Sequence, residues 1–247
     1  MFFLTQDTPD FRFPDPRLAS PEGLLAVGGD LRAERLLAAS RRGIFPWFND
    51  GQPILWWSPE PRAVLFPGDV RITRSLAKRL RNGGFRVTLD TRFRAVVEGC
   101  AAPRRGDPGG GTWIVTSMVE AYCDLHRRGF AHSVECWLGE ELVGGLYGIS
   151  LGRAFFGESM FSRASDASKV ALVHLARQVA AWGFHFIDCQ LPTPHLATLG
   201  VVVMSRVEYL ARLAAALDAP DRVGRWEFDA GVRDAGWKAA GRMNVIS

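Results

Sequence analysis

AHSVECWLGEELVGGLYGISLGRAFFGESMF, Ala131 to Phe161, is the stretch that decides the fold. Three runs rich in β-branched and aromatic residues follow one another: Ala131–Leu138, Glu141–Ser150 and Arg153–Phe161. Gly139-Glu140 and Leu151-Gly152 separate them, each a tight hairpin signal. The stretch therefore reads as a three-strand antiparallel meander. Upstream lie a strand RAVLF from Arg62, a helix RSLAKRLRN capped by Thr73, and a strand FRVTL from Phe85. Asp90 is expected to cap a helix running to about Cys100, and a further helix from Ser117 to Arg128 puts Met118, Tyr122 and Leu125 on one face. Downstream, Leu172, Leu175, Ala176 and Val179 repeat at helical spacing between about Ala167 and Trp182. The strand FHFIDCQ, a short helix, VVVM and the helix RVEYLARLAAAL follow. This order predicts an α+β domain built on a mixed sheet, antiparallel in the meander, with helical crossovers on its faces.

Further outward the composition changes. Residues 1 to 62 read as a small separate domain rich in proline and tryptophan, with one helix from Leu31 to about Arg42, capped by Asp30 and ended by Gly43. Trp47, Trp56 and Trp57 fall within eleven residues and suit either a small core or a wall for stacking a base. Residues 63–217 form the main domain, and the tail 218–247 has weak periodicity and is expected to be partly disordered.

The chain has 247 residues, 47% of them hydrophobic, which suits one full domain plus a small one. It contains no run of 18 apolar residues, so no membrane span is expected. The acidic, proline-rich start is unlike a signal peptide, and the expected location is the cytoplasm. Cys100, Cys123, Cys136 and Cys189 form no C-x-x-C pair and read as reduced packing residues. The five histidines lack ligand spacing, so neither a zinc site nor another metal is expected. A net charge of +4 is compatible with a polyanionic partner without requiring one.

Two polar intrusions into apolar strands carry the chemistry. Glu158 lies mid-strand, and strict alternation would place Phe156, Glu158, Met160 and Ser162 on one face. A carboxylate on an apolar face is costly unless paired, so either the face meets solvent, or Glu158 pairs with a structural Arg or Lys, or it stands at the base of an apolar pocket. Asp188 and Gln190 end the strand after the crossover helix, again two residues apart, and read either as a strand end that meets solvent or caps the following helix, or as a catalytic pair. If the two strands neighbour each other, Glu158, Asp188 and Gln190 converge. Arg74, Lys78 and Arg81 share a helical face, either a solvated stripe or a phosphate-binding one. The loop GDPGGGTW lacks the G-K-[ST] of a P-loop and reads as a gate or linker.

GLLAVGGDL, RRGIFPWF, PILWWSPEPRAV, GTWI, AHSVECW, ELVGGLYG, FFGESMFS, ASK and FIDCQ together resemble the leucyl/phenylalanyl-tRNA–protein transferase family over about residues 11 to 217. The resemblance implies an aminoacyltransferase that moves leucine or phenylalanine, and also methionine, from aminoacyl-tRNA to proteins with N-terminal Arg or Lys, marking them for degradation through the N-end rule. It implies a small N-terminal domain followed by a GNAT-like acyltransferase domain, acting as a monomer without cofactor. Asp188, Gln190 and Glu158 would be catalytic, with Asp188 orienting and polarising Gln190, and Glu158 holding a polar group of the aminoacyl-adenosine or acceptor. An apolar pocket follows from Phe155, Met160, Leu172, Leu175 and Ile187, with Ser162 beside it and Trp47 and Trp113 as stacking surfaces. Arg74, Lys78 and Arg81 would contact tRNA. The proton of the attacking amine is left open between Asp188, water and the tRNA's own hydroxyl. A CoA-dependent N-acyltransferase of the same fold would need a glycine loop before the crossover helix, where this chain reads FSRASDASKVAL. A non-catalytic RNA-binding module would not need the polar strand faces.

Overall fold

The structure, a computed structural model, describes residues 2–5, 11–102 and 114–233. The strands are β1 (Phe2–Leu4), β2 (Leu24–Gly28), β3 (Phe45–Pro46), β4 (Leu55–Trp57), β5 (Arg62–Leu65), β6 (Phe85–Leu89), β7 (Ala131–Leu138), β8 (Glu141–Leu151), β9 (Ala154–Ser162), β10 (Phe186–Gln190) and β11 (Val202–Met204). The helices are α1 (Ala33–Ser40), α2 (Arg74–Asn82), α3 (Phe93–Ala101), α4 (Thr116–Arg127), α5 (Ala167–Ala181), α6 (Pro194–Ala197), α7 (Arg206–Leu217) and α8 (Ala230–Arg233).

The meander forms as its turns dictate: β7, β8 and β9 pair antiparallel, and Gly139 takes a positive φ that its turn requires. Among the described residues the large sheet has seven strands in the order β11-β5-β10-β9-β8-β7-β6, and β1-β2-β4-β3 form a smaller one. The β9–β10 pair is parallel, bridged by α5, while every other pair in the large sheet is antiparallel. The fold is thus a mixed α+β one with a small N-terminal unit.

Alternation along the strands divides the apolar side chains between two cores. Val64, Tyr147, Phe156 and Phe186 point to one face, where α3, α4 and α7 pack together with Leu25, Leu36 and Trp56 of the N-terminal unit. Leu65, Leu146, Phe155 and Ile187 point to the other, against α2 and α5. The N-terminal unit and the main domain therefore share one core rather than meeting through a linker.

Thr73 caps α2 as its sequence suggests, its hydroxyl accepting from Leu76 N at 3.2 Å. The two other expected caps fail. Asp30 stands ahead of the α1 N-cap; it accepts from Arg32 N and pairs with the guanidinium groups of Arg32 and Arg35. Asp90, at φ 54, accepts from Ser133 N and Trp226 N and meets His132 Nδ1 at 2.8 Å. The chain entering α3 is held instead by the buried Glu135, whose carboxylate accepts from Thr91 N and Arg92 N.

The start of the tail, expected to be loose, is packed. Asp221 accepts from Gly152 N, Asp229 accepts from Gln178 Nε2 and Trp182 Nε1, and Trp226 is buried with its ring stacked on His132 at 3.7 Å. Single anchors at irregular spacing hold this segment, so it carries no periodic signal.

Candidate catalytic site at the parallel strand pair

The register Phe186↔Ala154, Ile187↔Phe155, Asp188↔Phe156 brings the end of β10 alongside Glu158. Both strands are irregular there. β8 and β9 shift register between Tyr147 and Gly148, and β10 shifts against β5 between Asp188 and Gln190. A β-bulge re-aims side chains and is common beside functional sites. Gly148 serves the first irregularity: a Cβ there would stand 2.1 Å from the Phe156 carbonyl oxygen.

The β9 bulge overturns the expected face. Phe156 and Glu158 point to the α3–α4–α7 side, but Met160 packs into the α5-side core, and Ser162 Oγ accepts from Ser168 N of α5. The same bulge explains how Phe155 and Met160, of opposite parity, reach one side. Phe155, Leu172, Leu175 and Ile187 are fully buried there, and Met160 is half-buried beside them. These residues come together; they lie across the sheet from Glu158.

Asp188 is sealed inside the protein. Arg62 grips it with two bonds, Nε to Oδ1 at 2.9 Å and Nη2 to Oδ2 at 2.6 Å. The Tyr209 hydroxyl donates to Oδ2 at 2.8 Å, and Gln190 N donates to Oδ1 at 2.9 Å. The Arg62 guanidinium also lies over the rings of Phe45 and Tyr209. Burial opposes the charge on Arg62, but Asp188 and Tyr209 outweigh it and raise its pKa. Asp188 thus grips the backbone of Gln190, not its side-chain amide as expected. The grip closes a turn in which Gln190 has φ 62, a conformation side-chain-bearing residues seldom take without support.

The amide of Gln190 reaches Glu158 instead. Burial pushes Glu158 up to about 7; the Tyr122 hydroxyl draws it down, Asp188 raises it, and the Gln190 amide and Arg62 draw it down. Glu158 Oε2 and the hydroxyls of Tyr122 and Tyr147 are enclosed without a well-formed hydrogen bond, although Tyr122 and Gln190 stand close enough to favour the carboxylate. Several orphaned polar atoms in one place are unusual in a core and suit a site that holds a polar ligand or water. Reading the sequence missed Arg62, Tyr209 and Tyr122. Each had a faint signal: an arginine opening an apolar strand, and tyrosines on the buried faces of α7 and α4.

Trp47 is 41% exposed, its ring 5.7 Å from that of Trp57, whose indole donates to the Trp47 carbonyl. Trp113 and the 103–111 loop lie outside the described residues. Arg74, Lys78 and Arg81 are exposed on α2. At the start of α5, Ser168 N is taken by Ser162, and Asp166 stands as the N-cap residue at φ 64, an arrangement unlike an anion cradle.

A family model described as leucyl/phenylalanyl-tRNA protein transferase matches residues 64–214, and its N-terminal-domain counterpart matches residues 29–60. This chain belongs to that family. A leucyl/phenylalanyl-tRNA–protein transferase of Anaeromyxobacter sp. (strain Fw109-5) is 57% identical over 225 residues, 91% of this chain and 95% of that one. Proteins of the same name from Pseudomonas entomophila and Solidesulfovibrio magneticus are each 58% identical, over 88% and 87% of this chain and 96% and 86% of theirs. Among solved structures, that of L-PGS from Bacillus licheniformis aligns with a TM-score of 0.39 at 11% identity, covering 69% of this chain and 54% of that one. Glu158, Asp188, Gln190, Tyr122, Tyr147 and Tyr209 fall inside the stretch that the transferase family model matches, and Trp47 inside that of its N-terminal counterpart.

Proposed function

We propose that this chain transfers leucine or phenylalanine, and also methionine, from aminoacyl-tRNA to the α-amine of proteins beginning with Arg or Lys, tagging them for N-end rule degradation. The observation that carries this reading is the meeting of Glu158 and Gln190 at the end of a parallel strand pair, in a chain of this family. An aminoacyl ester is already activated, so the enzyme needs no covalent nucleophile; it must align ester and amine and manage a proton. Gln190 lies at the partly exposed end of β10 and is the group to hydrogen-bond the attacking amine. Asp188, locked by Arg62 and Tyr209, fixes the turn that presents it.

The apolar side chains of Phe155, Met160, Leu172, Leu175 and Ile187 would receive the aminoacyl side chain, with half-buried Met160 the one that yields to it. Trp47 would stack on the terminal adenine, Trp113 would add a second such surface, and Arg74, Lys78 and Arg81 would meet tRNA phosphates. The mixed sheet with a single parallel pair bridged by α5 supports a GNAT-like reading of the domain. Among the described residues no helix is long and apolar enough to cross a membrane. A monomer in the cytoplasm completes the proposal.

The test is transfer of labelled leucine from leucyl-tRNA to a peptide beginning with Arg, beside the same peptide with its amine acetylated. Label should reach only the free peptide. Phenylalanyl- and methionyl-tRNA should also serve, and isoleucyl-tRNA poorly, because branching at Cβ adds bulk directly beside the ester carbonyl. Equal transfer to the acetylated peptide would refute the assignment.

A further inference from the structure

We propose that Glu158 accepts the proton that the acceptor's α-ammonium gives up on becoming a nucleophile; this role rests on the transferase reading above. Vacant lone pairs separate the two carboxylates. A carboxylate has about four acceptor positions. On Asp188 all four are taken, by Arg62 Nε, Arg62 Nη2, the Tyr209 hydroxyl and Gln190 N, and the side chain is out of reach of solvent. Asp188 has no place to receive a proton from a substrate. Gln190, a neutral amide, is no base either. Glu158 stands beside Gln190 with Oε2 unpartnered among the described residues.

The ionisable groups facing Glu158 are Tyr122 on α4, Tyr147 on β8, Asp188 on β10 and Arg62 on β5, with Cys100 and Cys123 behind Tyr147. Burial raises both tyrosines well above their usual values, so they remain neutral hydroxyls. Burial lifts Glu158 to about 7, against the pull of Tyr122. That lies close to the usual range of an α-ammonium, about 7.7–8.0, so transfer between them is nearly balanced.

The step balances as follows. The ammonium gives one proton to the Glu158 carboxylate. The freed nitrogen lone pair forms the C–N bond at the ester carbonyl, and the bond from that carbon to the ribose oxygen breaks. The departing oxygen takes a second proton from the nitrogen, leaving a neutral amide and a free hydroxyl. Glu158 then releases its proton to water.

The experiment is single-turnover transfer from saturating leucyl-tRNA to an Arg-initiated peptide, followed from about pH 5.5 to 9. The wild-type rate should rise through an inflection near 7, where Glu158 ionises. Glu158→Gln should lose that inflection and fall by about 10²–10⁴ at neutral pH, with leucyl-tRNA affinity kept. Tyr122→Phe removes a group that favours the charged form, so its inflection should move to higher pH. Formate should restore part of the rate to Glu158→Ala and none to Glu158→Gln, which leaves no room for it. An unshifted inflection in Glu158→Gln, or no formate rescue in a Glu158→Ala protein that still binds leucyl-tRNA, overturns the proposal. Wild-type protein that moves no leucine at all counts against the transferase reading itself.

Discussion

Arg62 closes both oxygens of Asp188 across 126 residues of sequence, at 2.9 and 2.6 Å, with both side chains almost wholly inaccessible. It ties β5, the first strand of the large sheet in the chain, to the strand that ends at Gln190. Removing one member of a buried pair leaves the other charge uncompensated, at a cost of about 3–5 kcal/mol. Arg62→Met should therefore lower stability to urea by that amount, while Tyr209→Phe, which removes one hydrogen bond, should cost about 1–3 kcal/mol. Equal, small losses from both would mean that Asp188 draws its charge compensation from elsewhere.

Glu158 gives a pH dependence of stability whose sign is opposite to that of a salt-bridged carboxylate. Its folded pKa is raised, to about 7 from 4.5, so the folded state holds its proton where the unfolded chain has lost it. Stability should fall as pH rises across that window and level off above it. Glutamine imitates the protonated form. Glu158→Gln should thus match wild type near the lower end of the window and exceed it by about 3 kcal/mol at pH 8. Urea titrations at the two pH values check this. A variant that is destabilised at pH 8 would show that the carboxylate is held by favourable partners.

Trp226 turns part of the expected tail into core. Its ring meets His132, Trp182, Phe184 and Phe155, and its backbone N–H donates to Asp90. Trp226→Ala should cost about 3–5 kcal/mol, and a chain ended at 217 should lose at least as much. Thermal unfolding of the two proteins decides the matter; unchanged midpoints would mean that the segment is an accessory.

The meander was legible because its strand runs and its two turn signals, Gly139-Glu140 and Leu151-Gly152, agree, although β7 and β8 shift register between Cys136 and Trp137. Agreement ended at the bulges. A single extra residue near Glu158 reverses the parity of everything after it, and nothing in GESMFS announces that. The convergence of Glu158 and Gln190 was legible as two polar groups out of place on strands that a crossover helix joins and that pair side by side. Their partners were not, because Arg62 and Tyr209 reach Asp188 from 126 and 21 residues away and look locally like a strand end and a helix face. The small sheet was hidden by strands as short as Phe45–Pro46.

The basic face of α2 offers a prediction independent of the active site. Arg74, Lys78 and Arg81 are exposed and share one side of the helix, whose opposite side buries Leu76. Replacing the three with alanine should weaken tRNA binding and flatten its dependence on salt by a logarithmic slope of roughly two to three. Transfer from a short aminoacyl-adenosine donor, which has no acceptor stem, should stay close to wild type. Filter binding at several salt concentrations measures the slope, and an unchanged slope would assign the stripe to solvent.

Gln190 allows function and folding to be separated at one position. Its backbone takes φ 62, which a residue with a Cβ adopts at a cost of about 1–2 kcal/mol and glycine adopts freely. Gln190→Gly should therefore fold at least as stably as Gln190→Ala, and about 1 kcal/mol more stably if the turn persists. Both lack the amide proposed to meet the amine, so both should lose on the order of 10²–10³ in turnover while still binding aminoacyl-tRNA. The pairing of Asp188 with Gln190 N uses only the backbone and survives either change. If Gln190→Gly is the more stable of the two and equally inactive, the side chain acts in the reaction and the backbone only presents it. If instead Gln190→Gly recovers activity along with stability, the amide has no catalytic part, and the strained turn alone shapes the site.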